Sequence, residues 1–204
     1  ITYTDNLTNY EETHKNDKNS IIKNSLENWY KENIIKKSLE TYVNIYNNYY
    51  CNDRSIYKGE CRGIVTGCEY SAYNRIINIK KPNLKCSAND IFSKVGLLTA
   101  DEVSLAGGVY NEANDKYYLY NEKYNKKPFW TMTPANYTTC GANVFLVTEN
   151  GSLSYVVSDS TGVGVSCDGD VDNEYYVRPV ITLKKGNTFT GSGTSDKPYV
   201  LSVN

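Results

Sequence analysis

The sequence predicts an α+β fold in which N-terminal helices precede short, twisted antiparallel sheets. Three observations lead to this prediction. Apolar residues recur at helical spacing over residues 18–34, and residues 97–108 carry both a helix-start and a helix-stop signal. Beyond residue 108 the chain holds short β-branched and aromatic segments separated by turn residues. Because helical patterns come first and strand patterns follow, the class is α+β rather than alternating α/β.

The first predicted helix covers residues 18–34. Ile22, Leu26 and Trp29 fall at helical spacing there, and we expect Trp29 to face the core. Residues 39–46 carry a weaker pattern, typical of a second helix or an extended arm.

The clearest local signal is the sequence LLTADEVSLAGG at residues 97–108. Thr99 followed by Glu102 forms a capping box, and the closing glycines stop the helix. Asp101 and Glu102 in the first turn favour the helix start and its dipole, so we interpret them as structural rather than catalytic. The apolar positions of this helix are expected in the core: Leu98, Val103 and Leu105.

Several segments are predicted strands because they are rich in β-branched and aromatic residues. They are residues 73–79, 129–133, 143–148, 152–158, 176–183 and 199–203. Asn150-Gly151, between two of these segments, predicts a type I′ hairpin turn. Pro179 cannot donate a ladder hydrogen bond, so its strand should lie at an edge or carry a bulge.

Length, net charge and the lack of long apolar runs limit the classes of protein to which this chain can belong. A chain of 204 residues can form one domain, here residues 17–204, after a polar lead-in at residues 1–16. The net charge of −1 disfavours a nucleic-acid partner. No apolar run approaches the ~18 residues of a membrane span. The chain opens at Ile1, so we interpret it as a mature or trimmed fragment that has lost its export signal or anchor.

Six cysteines favour three disulfides in an oxidising compartment, although mixed or free thiols remain an alternative. No CxxC pair suggests zinc. His14 is the single histidine and lies in a polar stretch, so a cysteine–histidine catalytic pair is not expected. The glycines between Cys61 and Cys68 would let that short segment close on itself.

Five motifs occur in an order that resembles a known group. They are YCNDRS, GLLTADEVSLAGG, FWTMTP, YVRPVITL and GSGTSDKPYVL, starting at residues 50, 96, 129, 176 and 191. Together they resemble uncharacterised surface proteins of gut Firmicutes, which look like a divergent C-type-lectin-like branch related to formylglycine-generating enzymes. The resemblance implies that Cys51 and Cys86 form the shared disulfide. Cys61–Cys68 and Cys140–Cys167 are then the expected additional pairs.

The resemblance also implies a functional face. In related C-type-lectin-like proteins, including targets of diversity-generating retroelements, a variable segment held by fixed elements such as Trp130 binds the ligand. Here that segment is residues 135–176, which mix tyrosines with short polar residues suited to adaptable contacts. The predicted ligand-binding residues are Tyr137, Asn143, Tyr155, Asp159, Asp170, Asn173, Tyr175 and Tyr176. The expected role is surface binding or adhesion to a host or bacterial surface protein or glycan, without a cofactor.

One other function remains open, and an enzymatic function is disfavoured. A structural or pilus-like assembly subunit would use the same fold for protein contacts alone. An enzyme of the formylglycine-generating type would need a copper-binding cysteine pair, and the spacing of the cysteines does not favour one. We therefore predict that the chain is not an enzyme. Asp168, Asp170 and Asp172 alternate like calcium-loop ligands, but Asn173 and Pro179 break the EF-hand template, so a solvated acidic loop is favoured.

Overall fold

A computed structural model places most of the chain. It describes residues 18–46, 48–60, 67–86, 90–117, 119–120, 127–138, 141–155, 174–194 and 196–203. The predicted polar lead-in at residues 1–16 lies outside these ranges. No helix in the described ranges is long and apolar enough to cross a bilayer.

Helix α1, Ile21–Tyr30, begins where the sequence predicts a helix and continues into a π-helical turn, Lys31–Ile35. Its start is capped by Ser20, whose hydroxyl oxygen accepts a hydrogen bond from the Lys23 backbone N–H at 3.3 Å. Its buried face carries Ile22, Leu26 and Tyr30, while Trp29 is partly buried against the same core. Residues 39–46 form turns and contain no helix.

Helix α2, Ser71–Tyr73, continues into a second π-helical turn, Asn74–Asn78. The prediction of a strand over residues 73–79 is therefore wrong. Ala72 and Ile76 are both buried, and their spacing of four residues places them on one helical face. The β-branched isoleucines favour a strand locally, but packing of this face against the core decides the conformation.

Helix α3, Ala100–Ala106, confirms the predicted capping box between Thr99 and Glu102. The Glu102 backbone N–H donates to the Thr99 hydroxyl at 3.1 Å, and the Thr99 backbone N–H donates to the Glu102 carboxylate at 2.7 Å. Val103 is fully buried as predicted. The prediction of a core position for Leu105 is wrong, because its side chain is 54% exposed on the outer side of the helix.

The strands form one five-stranded antiparallel sheet and two small two-stranded sheets. In chain order they are β1 Tyr49–Cys51, β2 Ile56–Gly59, β3 Cys68–Tyr70, β4 Asp90–Phe92, β5 Phe129–Thr138, β6 Gly141–Val147, β7 Leu153–Ser154, β8 Phe189–Thr190 and β9 Val200–Leu201. The main sheet has the order β2-β3-β5-β6-β7, while β1 pairs with β4 and β8 pairs with β9. These helices and curled antiparallel sheets confirm the α+β class.

The β5–β6 hairpin is covered on both faces. Trp130 and Leu146 pack into one core with α1, whereas Phe129 and Phe145 pack into a second core with α2 and α3. Successive strand residues point to opposite faces, so consecutive apolar residues in β5 and β6 supply both cores. Trp130 is 1% exposed, as predicted.

Two local predictions about the β-region need correction. The segment of residues 176–183 forms isolated bridges rather than a continuous strand, with Val180 opposite Gly96 and Leu183 opposite Val43. The turn between β6 and β7 is not type I′, because Gly151 has a positive φ of 80° and Asn150 does not. The Gly151 backbone N–H donates to the Thr148 carbonyl at 3.0 Å, which indicates a three-residue loop closed by a left-handed glycine.

The Cys51–Cys86 disulfide joins the end of β1 to the segment that precedes β4, with the two Cα atoms 5.5 Å apart. Cys68 at the start of β3 is disulfide-bonded as well. Cys61, Cys140 and Cys167 lie outside the described residues. The pairings Cys61–Cys68 and Cys140–Cys167 therefore stay predictions.

Peptide mapping of the non-reduced protein by mass spectrometry should recover Cys51 linked to Cys86 and Cys68 linked to Cys61. The first pair closes a loop of 35 residues, so replacing both of its cysteines with serine should lower the free energy of unfolding by ~4 kcal/mol. A fragment linking Cys68 to Cys140 or Cys167 would contradict the predicted pairing while leaving the first disulfide intact.

Candidate functional site

Part of the predicted ligand-binding segment lies inside the protein. Tyr137 is 5% exposed and Asn143 is 4% exposed, because both belong to the β5–β6 hairpin that is covered on its two faces. The prediction that these two residues lie on an open face is therefore wrong. Their short polar and aromatic character suits a binding surface, but their strand positions place them within the sheet.

The tyrosines that follow are half-buried or exposed. Tyr155 stacks on Tyr110 with ring centroids 5.9 Å apart, and its hydroxyl lies 3.4 Å from that of Tyr73. Burial raises the pKa of Tyr155. Tyr175 packs edge-on against Trp130 at 4.8 Å, whereas Tyr176 is 57% exposed. Asp159, Asp170 and Asn173 lie outside the described residues, as do Asp168 and Asp172. We expect exposed tips for Tyr155 and Tyr175; both side chains are half-buried, and each ring packs against another aromatic ring.

A cleft lies on a different surface, between β1, the segment of residues 80–86 and the first turn of α3. Its volume is about 380 Å³, which is within the range of small binding sites. Leu97 and Met132 contribute apolar surface to it, and the Cys51–Cys86 disulfide forms part of the wall. Leu97 is 3% exposed and belongs to the core around α1.

Tyr50 fixes the wall of the cleft to the rest of the fold. Its hydroxyl donates a hydrogen bond to the Val180 carbonyl at 2.9 Å. Its ring lies so close to Gly96 that a Cβ atom there would be 2.5 Å from the ring carbons, so only glycine fits. Burial, with a smaller contribution from Glu102, raises the pKa of Tyr50 to about 12.

A three-residue ion-pair network lies beside the cleft. The Arg75 guanidinium donates to both carboxylate oxygens of Asp101, at 3.1 and 2.9 Å, and to Asp53 at 2.9 Å. Exposure of the Asp53 and Asp101 side chains is 5% and 6%, and that of Arg75 is 18%. Burial alone lowers the pKa of Arg75, but the hydrogen bonds and charges of the two aspartates outweigh it and raise that pKa.

Asp101 also holds the segment of residues 80–86. Its carboxylate accepts a hydrogen bond from the Asn83 backbone N–H at 2.8 Å. The Lys81 backbone N–H donates to the Arg75 carbonyl at 2.8 Å, and Cys86 is tied to β1 by the disulfide. Asp101 lies in the first turn of α3, as expected, but its buried carboxylate has Arg75 and the Asn83 N–H as partners, which the sequence did not indicate.

The rim of the cleft exposes large apolar side chains. Leu84 is 67% exposed and Tyr49 is 58% exposed, and both line the cleft. Phe92 on β4 is 53% exposed and contacts Tyr49 edge-on, with ring centroids 5.9 Å apart. We define Tyr49, Leu84, Lys85 and Phe92, together with the cleft beside them, as the cleft surface.

The two acids that line the cleft have structural partners, Arg75 for Asp101 and Thr99 for Glu102. Across the described part of the chain, no three His, Cys, Asp or Glu side chains are grouped to hold a metal ion.

Sequence reasoning did not identify the cleft. One signal was available, because Arg75 interrupts the apolar sequence YNRIINI, and an arginine among apolar residues often marks a buried ion pair. Its acidic partners lie 22 and 26 residues away along the chain, which no local pattern shows.

No protein-family model, curated protein sequence or solved structure matches this chain. The geometry of the cleft surface is therefore the basis for assigning a function.

Replacing Asp101 with alanine should lower the free energy of unfolding by about 3 kcal/mol, because it leaves Arg75 with a single acidic partner and frees the Asn83 N–H. Urea denaturation measures this change. The matched control Asp115→Ala, at an exposed acid, should stay within about 0.5 kcal/mol of the wild type. Equal stabilities of the two variants would show that the network does not support the fold.

Proposed function

We propose that this chain is an extracytoplasmic, surface-displayed binding module that contacts a partner through the cleft surface, on a C-type-lectin-like scaffold. The observation that carries the proposal is the combination of a cleft with exposed aromatic and aliphatic side chains at its rim. Monomeric proteins seldom leave several large apolar side chains exposed together unless the patch contacts another molecule. Tyr49 and Leu84 have this exposure beside an apolar floor.

The rigidity of the surroundings supports the same function. Residues 80–86 are held by Asp101, by the Arg75 carbonyl and by the disulfide at Cys86. A segment that is already ordered loses little conformational entropy on binding. The packing of the protein leaves the Leu84 side chain largely in solvent, so this ordered segment is suited to presenting it to a partner.

The disulfide bonds support a location on the cell surface. Disulfides persist in oxidising compartments such as the cell exterior, and both Cys51–Cys86 and Cys68 are disulfide-bonded. A helix packed on curled antiparallel sheets is compatible with a C-type-lectin-like domain. The proposal assigns no catalytic reaction to the chain. Residues 156–173, within the ligand-binding segment predicted from the resemblance, lie outside the described residues.

A second candidate function is an assembly subunit, which one observation favours. The β8–β9 pair exposes Phe189, Tyr199, Val200 and Val203 at 44%, 68%, 56% and 56%. The rings of Phe189 and Tyr199 meet edge-on at 6.3 Å. An apolar hairpin of this kind could pack on another copy of the chain or on a neighbouring subunit.

Arrays of surface proteins and glycans, probed with labelled domain, distinguish the two functions. The variant Tyr49→Ser/Leu84→Ser should lose at least about tenfold in affinity for the array ligand, since exposed anchors of this kind dominate binding energy. The matched control Val200→Ser/Val203→Ser changes one residue of β9 and one just after it, both 56% exposed, and should bind as the wild type does.

The opposite result would contradict the proposal. If the cleft-surface variant binds normally and the β8–β9 variant loses binding or changes the oligomeric state, the assembly function is the correct one. Melting temperatures of both variants should match the wild type, because all four positions are exposed, and this check separates lost binding from lost folding.

A further inference from the structure

The segment of residues 80–86 is basic as well as rigid. Lys80, Lys81 and Lys85 are exposed and form no ion pair with any described residue. The Arg75, Asp53 and Asp101 side chains together carry a net charge of −1, because two carboxylates share one guanidinium. Glu102 is the exposed acid that lines the cleft. The three lysines outweigh this network and Glu102, so the described side chains of this region have a net charge of +1.

The same region offers apolar contacts that a purely anionic ligand would not use. Leu97 and Met132 form apolar surface inside the cleft, and Leu84 extends from the basic segment itself. A phosphate or uronate polymer would neutralise the lysines but bury little of this apolar area. A peptide can supply both carboxylates for the lysines and an apolar side chain for the cleft.

Taken together with the proposed function, on which this step rests, these observations specify the partner. We infer that the cleft surface binds an acidic peptide segment of a partner protein, with one aromatic or aliphatic side chain inserted in the cleft. Its Asp or Glu residues then face Lys81 and Lys85, which flank Leu84 in the sequence. The lysines act mainly on the rate of association and on specificity, whereas the inserted side chain contributes most of the retained affinity.

A library of random-sequence peptides displayed on phage tests the inference directly. Peptides selected on the purified chain should be enriched in Asp and Glu around one Leu, Phe or Trp. Their affinity, measured by fluorescence anisotropy, should fall at least about tenfold for Lys81→Glu/Lys85→Glu and for Leu84→Ser. The matched control Lys184→Glu/Lys185→Glu, which reverses two exposed lysines elsewhere, should leave it unchanged. Raising NaCl from about 0.05 to about 0.5 M should weaken binding, because salt screens exposed charges.

Three results would overturn the inference. The first is a selection without acidic enrichment, and the second is equal loss of affinity in the Lys184→Glu/Lys185→Glu control. The third is polyglutamate that binds as tightly as the selected peptides and is insensitive to Leu84→Ser, which would identify an anionic polymer as the partner.

The array and the library together separate this inference from the proposed function. An array ligand that depends on Tyr49 and Leu84 but not on Lys81 and Lys85 would overturn the acidic segment alone. If the Tyr49→Ser/Leu84→Ser variant still binds both the array ligand and the selected peptides as the wild type does, both proposals are overturned.

Discussion

Two buried carboxylates, those of Asp53 and Asp101, share the single guanidinium of Arg75. Burying either aspartate without this partner would cost several kcal/mol, so the association of the three side chains stabilises the fold. These ion pairs connect three segments of the chain: the connection after β1, the π-helical turn that follows α2 and the first turn of α3. Because Asp101 also accepts the Asn83 N–H, the same interaction sets the backbone of the basic segment and therefore the shape of the cleft.

The elements of the fold that depend on local signals could be predicted from the sequence. The capping box at Thr99 and the amphipathic pattern at Ile22 and Leu26 act within a few residues, and both are present in the structure. Residues 71–78 show where prediction from local sequence fails. Their isoleucines favour a strand, but the segment is helical because Ala72 and Ile76 pack on the core. Leu105 shows it again, since a short helix buries one side only.

The candidate site was less accessible to sequence reasoning. Tyr137 and Asn143 have the residue types of a binding face, yet Tyr137 is buried in the core around α1 and Asn143 is buried in β6. Asp101 has the position of a helix-start acid, yet a partner 26 residues earlier in the chain determines its role. Composition describes what a side chain can contact, whereas long-range packing decides whether solvent reaches it.

Amide hydrogen exchange at Asn83, followed by NMR, tests the central claim that the Arg75–Asp101 pair orders the segment of residues 80–86. The backbone N–H of Asn83 bonds to a buried side-chain oxygen rather than to a strand, so its protection reports this interaction alone. It should be protected in the wild type and exchange near the unfolded rate in Asp101→Ala, while Leu146 in β6 stays protected in both. Rapid exchange of the Asn83 amide in the wild type would contradict the account.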